Sequence, residues 1–305
     1  MGTRADIQLS EPLAKRLQRR AMDVRFLLIG LASRWYFFGQ ERPNFGELRT
    51  FCCFIGHGRS GSTLVGALLN AHPNVVMSNE LNALRRLRTG LNARQTFRII
   101  YLVSQRQVAR GSVGGGGYSY RVPGQWQGKH KALKVIGDRK AGATSYEIVQ
   151  HPTLLETMDR KIRIAKKFIH VIRNPFDTIT TTFRKTLRRR GEDTDGHLAR
   201  EINNYFARCS AVHAIERKFG AAAIHHMYLE QLIADPAGQL RNLCNFLDVE
   251  AQEGYLRDCA AIVTKVPHRT RESLEWSDRH VDMVKQGMQE CHWLANYEFG
   301  SELAA

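Results

Sequence analysis

Acidic residues are scarce in this chain. Twenty-nine Asp and Glu stand against 45 Lys and Arg, a formal charge of +16. A surplus of that size favours anionic partners, without choosing among nucleic acid, anionic lipid, a nucleotide and an acidic substrate. Cysteine patterning is also missing. The six cysteines (52, 53, 209, 244, 259 and 291) contain no C-x-x-C pair and form no Cys/His set with zinc spacing. They read as reduced, small hydrophobic residues. Long apolar runs are absent too. In the most apolar segment, residues 24–38, Arg25 and Arg34 bracket only eight uncharged residues, whereas a membrane-spanning helix needs about 20. No small-residue cleavage site follows that segment, so it does not read as a secretory leader. Basic residues precede it and aromatics follow, which leaves two readings open: a helix docked on the domain, or an interfacial helix on an anionic membrane. Internal repeats and long low-complexity segments are lacking as well. With 305 residues, 43% of them hydrophobic, the chain has enough material for one large α/β domain. Residues 1–48 form a basic helical extension to it, and residues 49–305 the domain itself.

The most informative positive feature is the octet Gly56-His57-Gly58-Arg59-Ser60-Gly61-Ser62-Thr63. It follows an apolar run, residues 51–55, and leads into Leu64-Val65-Gly66-Ala67-Leu68-Leu69. That order predicts strand, tight turn, helix, and such a turn aims backbone N–H groups and the positive end of a helix at one point. Gly56 and Gly61 have the spacing of a P-loop, G-x-x-x-x-G-K-[ST]. The P-loop lysine is missing: Ser62 takes its place, and the loop's cation is Arg59. The loop is suited to a phosphate but not to ATP hydrolysis.

Further strands are predicted at residues 75–77, 132–136, 168–172 and 223–229, with helices between them, including a long basic one over 81–110 and another from about Asp177. Residues 111–128, rich in glycine, read as a mobile loop. Strands alternating with helices imply a doubly wound, mainly parallel α/β sheet. In such sheets ligands bind beyond the carboxyl ends of the strands. The polar clusters at 56–63, 78–80, 137–140 and 173–175 all fall at such ends, so they are expected to share one crevice.

The second anion-binding cluster is Arg173-Asn174-Pro175-Phe176-Asp177, with Thr181 eight residues after the arginine. Pro175 and Asp177 suit a helix start. Together, Gly58-Arg59-Ser60-Gly61-Ser62-Thr63 and Arg173 through Thr181 resemble the sulfotransferases that use 3′-phosphoadenosine 5′-phosphosulfate (PAPS). The first is similar to that family's 5′-phosphosulfate loop in its arginine form. The second is similar to its 3′-phosphate element, R-x-P-x-D-x-x-x-S, with Thr181 for the usual serine. Ala71-His72-Pro73-Asn74-Val75 is similar to the family's helix exit, and Met227-Tyr228-Leu229-Glu230-Gln231-Leu232 with Asp235-Pro236 and Phe246-Leu247 resembles its R-Y-E-D-L…D-P…F-L segment, with Met227 for the arginine and Leu229 between the tyrosine and the acid. The likeness covers about residues 50–250.

The resemblance implies a P-loop-like fold and in-line transfer of a sulfuryl group from PAPS to a hydroxyl or amine, giving adenosine 3′,5′-bisphosphate (PAP). It implies no metal. Gly58, Arg59, Ser60, Gly61, Ser62, Thr63, Arg173 and Thr181 would bind the donor, with Arg271 reaching it from a C-terminal loop. Glu80 is the expected general base, with His57 the lesser alternative. Lys140, in a G-D-x-K stretch, would touch the transferred group. The acceptor is expected to be a small molecule, glycan or lipid, bound by loops at 81–130 and 184–200. Two other readings stay open. One is a P-loop kinase with Asp138 as its metal ligand. The other is a basic nucleic-acid-binding module built on Arg85-Arg86-Leu87-Arg88 and residues 184–190. No nucleic-acid partner is expected on the favoured reading. The chain is expected to be cytoplasmic, with residues 24–38 a candidate for peripheral membrane contact.

Overall fold

Five short strands pair into one parallel sheet in a computed structural model of the chain, which describes residues 13–36, 43–111, 120–190, 195–264, 266 and 268–300. The strands are β1 (Thr50–Gly56), β2 (Val75–Asn79), β3 (Val135–Arg139), β4 (Ala165–Ile172) and β5 (Ile224–Tyr228), in the order β2-β3-β1-β4-β5. All four pairings are parallel. Every residue of β1 is buried. A strand covered on both faces is apolar throughout rather than alternating, and β1 is such a strand.

Helices cover both faces: α1 (Leu13–Tyr36), α2 (Ser62–Asn70), α3 (Ala83–Arg88), α4 (Ala93–Ala109), α5 (Ala141–Gln150), α6 (Leu154–Lys161), α7 (Pro175–Arg190), α8 (Asp195–Phe219), α9 (Leu229–Ala234), α10 (Pro236–Leu247), α11 (Glu253–Ala260) and α12 (Asp278–Gln289). The two-residue period of β1 divides the core. Phe51, Cys53 and Ile55 pack among residues of α3 to α8 and α12. Cys52 and Phe54 point the other way, toward α2, α10 and α11. All six cysteines are buried and free.

Several boundaries differ from the expectations. The strand expected to end at Ile136 starts at Val135 and continues through Gly137, Asp138 and Arg139. Gly137 is there because the sheet leaves no room for a side chain: a Cβ would lie 2.3 Å from the Cys52 carbonyl oxygen. The basic helix over 81–110 is two helices. The first, α3, stops at Arg88, Gly90 follows at φ 120°, and Asn92 opens α4 with a capping box to Gln95. α7 begins at Pro175, two residues before the expected Asp177. Of the glycine-rich stretch 111–128, residues 112–119 lie outside the described residues; the rest is anchored by Trp126 N–H to the Ala71 carbonyl at 3.1 Å.

The N-terminal helix is docked on the domain. Asp23 accepts bonds from Arg85 (2.8 and 2.6 Å) and Arg86 (2.6 Å). Phe26, Leu27 and Ile29 pack against the core, and Arg86 lies over the Phe26 ring at 4.5 Å. Burial pushes Asp23's carboxyl up, but the two arginines outweigh it and hold it below its usual 3.8. Glu147 pairs with Arg85 and Arg88. The arginines of that run are therefore spent on internal ion pairs. No described helix is long and apolar enough to cross a membrane.

Candidate active site

β1 ends in a turn whose backbone suits glycine. Gly56 has φ 89°, and a Cβ on it would lie 2.4 Å from His170 Cδ2. Gly61 has φ 94°, and a Cβ there would meet Leu229 Cδ1 at 2.7 Å. Between them Arg59 also adopts the left-handed conformation, at φ 71°, one that is uncommon for a long side chain and carries a local backbone cost. The turn is held from within and from behind. Ser60 Oγ donates to the His57 carbonyl at 3.0 Å, and Gly56 N–H donates to Ser145 Oγ at 2.8 Å. α2 then starts with no side chain capping its first turn, so its N-terminal dipole faces the loop uncompensated. Arg59 and Gly58 are exposed. Among the described residues, the Arg59 guanidinium and the hydroxyls of Ser62 and Thr63 have no protein hydrogen-bond partner.

His57 belongs to the interior. Its ring stacks on Tyr205 at 3.6 Å and 4°, with Nε2 3.7 Å from Cys209 Sγ. Burial first, and the Arg208 charge second, hold its pKa well below the ordinary value. It supports the loop from beneath and presents no face to a reacting group.

The 173–181 element lies at the end of β4, the strand beside β1. Asn174 Oδ1 accepts from Phe176 N–H at 3.0 Å and opens α7, while Asn174 N–H donates to Glu230 Oε1 at 3.0 Å. Tyr297 OH donates to the other Glu230 oxygen at 2.6 Å. Glu230 thus fixes the turn that carries Arg173. Arg173 joins the two clusters directly: its Nη1 donates to the Arg59 carbonyl at 3.3 Å.

A C-terminal strap lies over that element. Arg173 Nη2 donates to the His268 carbonyl and to Thr270 Oγ1 at 3.4 Å. Thr181 Oγ1 donates to the Asp177 carbonyl at 2.8 Å and sits 3.0 Å from Thr270 Oγ1. Arg271 is buried, with Nη1 2.7 Å from Asp177 Oδ2 and its backbone N–H 2.7 Å from Asp177 Oδ1. The arginine expected to reach the donor is thus turned onto Asp177, where it clamps the strap to α7. The roles of His268, Thr270 and Asp177 in this strap were not foreseen. Only Arg271 marked the segment, because backbone carbonyls and a lone threonine leave no pattern in a sequence.

Glu80 stands at the third corner. The β2–β3 register sets Ser78 beside Asp138 and Asn79 beside Arg139. Asp138 is buried and accepts from Ser78 Oγ (2.8 Å), Leu81 N–H (3.1 Å) and Ala83 N–H (3.0 Å). It organises the turn that holds Glu80, and burial pushes its carboxyl up. All three bonds are internal, an arrangement of little use to a metal ion. Glu80 itself has φ 68°. Its carboxylate pairs with Arg139 Nη1 at 2.8 Å and with Lys140 Nζ. Burial pushes Glu80 up, yet Arg139 and Lys140 prevail and hold it below its usual 4.5. Thr63 and Arg139 line one small groove with Ser78 and Asn79. The α5 helix that Lys140 precedes meets the loop closely: a Cβ on Gly142 would lie 3.0 Å from Gly58 N. The corner with Glu80, Arg139 and Lys140 therefore adjoins the loop. The sequence argument favoured Lys140 for the catalytic role over its neighbour Arg139; in the structure Arg139 is the buried one of the two.

Residues 53–253 match the family model described as "Sulfotransferase family", well over half of the chain. The chain belongs to the sulfotransferase family. The matched span of this sulfotransferase takes in the whole glycine loop, Glu80, Lys140 and the 173–181 element, and stops short of the strap at 268–271. Solved structures with a similar arrangement include a sulfotransferase from Mycobacterium tuberculosis (10% identity, TM-score 0.49, covering 93% of this chain and 88% of that one). A second is the sulfotransferase domain of the Synechococcus olefin synthase (17%, 0.46, 87% and 94%). A third is a mouse sulfotransferase complexed with PAP (12%, 0.44, 80% and 84%). No curated protein sequence matches this sulfotransferase.

Proposed function

We propose that this enzyme moves a sulfuryl group from PAPS to a hydroxyl or amine of a small-molecule, glycan or lipid acceptor, releasing PAP. The observation that carries the reading is the pairing of two cationic elements at the ends of adjacent strands, joined by the Arg173 to Arg59 bond. The residues fit the donor. The loop offers an exposed arginine, two hydroxyls without protein partners and an uncapped helix start, a donor set for a terminal phosphosulfate. Arg173 and Thr181 are set for a second, 3′-phosphate. PAPS supplies the activated sulfuryl group, and its 5′-phosphate is the leaving group.

In this scheme Arg59 and the loop N–H groups stabilise the charge that grows on the leaving phosphate. Lys140 leaves Glu80 for the transferred group. Freed of one cation, Glu80 takes the acceptor's proton at a carboxylate oxygen. The strap closes the 3′-phosphate end, with Arg271 held on Asp177. The internal bonding of Asp138 and the absent loop lysine argue against the kinase alternative. Isothermal calorimetry tests the reading. Micromolar, one-to-one PAP binding without magnesium is expected; binding of ATP–magnesium but not PAP would overturn it.

The reading includes a cytoplasmic location with peripheral membrane contact through α1. Leu17, Val24, Leu28 and Leu31 share the outward face of this docked helix and are 56–60% exposed. Arg20 and Arg25 are exposed near them. An apolar stripe with a basic flank suits an anionic surface. Flotation with phosphatidylserine vesicles should carry the protein up, and Leu28→Glu with Leu31→Glu should cut that fraction several-fold. Equal flotation of both proteins sinks the idea.

A further inference from the structure

Glu216, His226 and His292 converge on the far side of β4 from the glycine loop, and no step of sulfuryl transfer uses them. Glu216 lies near the end of α8, His226 on β5 and His292 in the short 3-10 turn after α12. Their ligand atoms lie within 4.8 Å of one another. Glu216 Oε1 is 3.6 Å from His292 Nε2 and 3.9 Å from His226 Nε2. Both separations are too long for hydrogen bonds. The oxygen is nonetheless buried, without a hydrogen-bond partner among the described residues. A buried carboxylate oxygen facing two imidazole nitrogens with no bond to either is costly as it stands.

The set is two histidines and one carboxylate, the donor chemistry of zinc and similar divalent transition metals. Metal–ligand bonds of about 2.0–2.2 Å hold ligand atoms about 3.3 Å apart at a tetrahedral angle, so the three groups need only a slight inward rotation. His292, with its side chain 66% exposed, is free to make it. The surroundings orient the ligands as metal sites require. Glu216 Oε2 is 3.3 Å from His213 Nδ1. His226 Nδ1 is 3.1 Å from His170 Nδ1, and the His226 ring stacks on Trp293 at 5.6 Å and 16°. With Nε2 on a metal, the His226 Nδ1–H donates to His170. His170 is the residue that a Cβ at Gly56 would strike.

We propose that Glu216, His226 and His292 bind one zinc-class divalent ion, which ties α8, β5 and the C-terminal turn together behind the glycine loop. The chain carries no zinc-type spacing, and no metal was expected of it. The proposal stands whether or not PAPS is the donor. The test is zinc titration of the full-length protein by calorimetry, with cobalt as a spectroscopic stand-in. One ion per chain is expected, with visible cobalt bands typical of nitrogen and oxygen ligands and no thiolate charge transfer. Zinc should also raise the melting temperature. Glu216→Gln is isosteric and His292→Ala removes an exposed side chain, so both should fold. Each should weaken zinc binding at least tenfold and abolish the thermal shift, while His130→Ala leaves both unchanged. Absence of one-to-one uptake, a smaller loss in either variant, or an equal loss in His130→Ala overturns the site.

Discussion

Arg173→Ala is expected to weaken PAP binding by about 30- to 1,000-fold, the cost of about 2–4 kcal/mol that attends the loss of a charge-assisted contact to a phosphate. The residue is well placed for so large an effect. Its side chain is only 10% exposed, and burial lowers its pKa, opposed by the nearby Asp177 carboxylate. Among the described residues it is also the one side chain that bridges the two anion elements and the strap, through the Arg59, His268 and Thr270 bonds. Two controls separate these parts. Arg59→Ala removes an exposed cation with no protein partner among the described residues, so it should cost PAP affinity while leaving the melting temperature within a degree or two. Thr270→Val loosens the strap and leaves Arg173 in place, so it should cost far less affinity than Arg173→Ala. Calorimetry and thermal melting read all three. PAP affinity within twofold of wild type in Arg173→Ala would remove the 3′-phosphate role from this element.

Glu80→Gln should leave PAP affinity nearly unchanged and lower kcat by about 100- to 10,000-fold, the usual worth of a general base. The substitution keeps the shape and removes the charge that holds Arg139 and Lys140. Lys140→Ala separates the two functions: it frees the carboxylate while withdrawing the cation that meets the sulfuryl group, so kcat falls with Glu80 intact. The pH dependence follows from the sign of the shift. The two cations hold the Glu80 carboxyl below 4.5, so it is ionised throughout the neutral range. An acid limb of kcat/KM assigned to Glu80 should therefore lie below pH 4.5. The pairing likewise adds stability that is present above 4.5 and lost as the pH falls below it. Release of Lys140 on donor binding would raise the Glu80 pKa, so kcat in the complex should show a limb at higher pH than kcat/KM. Retained turnover in Glu80→Gln would move the base elsewhere, and the buried, stacked His57 is not the place for it.

The parts of the site that could be read from residue order were those whose chemistry is local. A glycine loop between a strand and a helix is one continuous segment, and so is the arginine–proline–aspartate turn with its threonine. Glu80 and Lys140, 60 residues apart, were each placed at a strand end, but their ion pair with Arg139 depends on the β2–β3 register. Strand limits were less legible. Gly137 looked like a terminator, whereas it lies inside β3 because the Cys52 backbone passes too close for any side chain. The break between α3 and α4 carries local signals, Gly90 and the Asn92–Gln95 capping box, but the basic, helix-forming residues on both sides drew the reading across it.

Sequence alone determined the sheet's alternation of strand and helix, the two anion elements and their order, because each is specified by neighbours within a dozen residues. Only the tertiary structure decided how distant groups are used. It turned Arg271 onto Asp177 and laid the His268 carbonyl and Thr270 over Arg173. It spent the Arg85-Arg86-Leu87-Arg88 run on Asp23 and Glu147. It also gathered Glu216, His226 and His292 from a helix, a strand and a turn. Such meetings are set by chain crossing and burial, which bring together charges that no spacing along the chain relates.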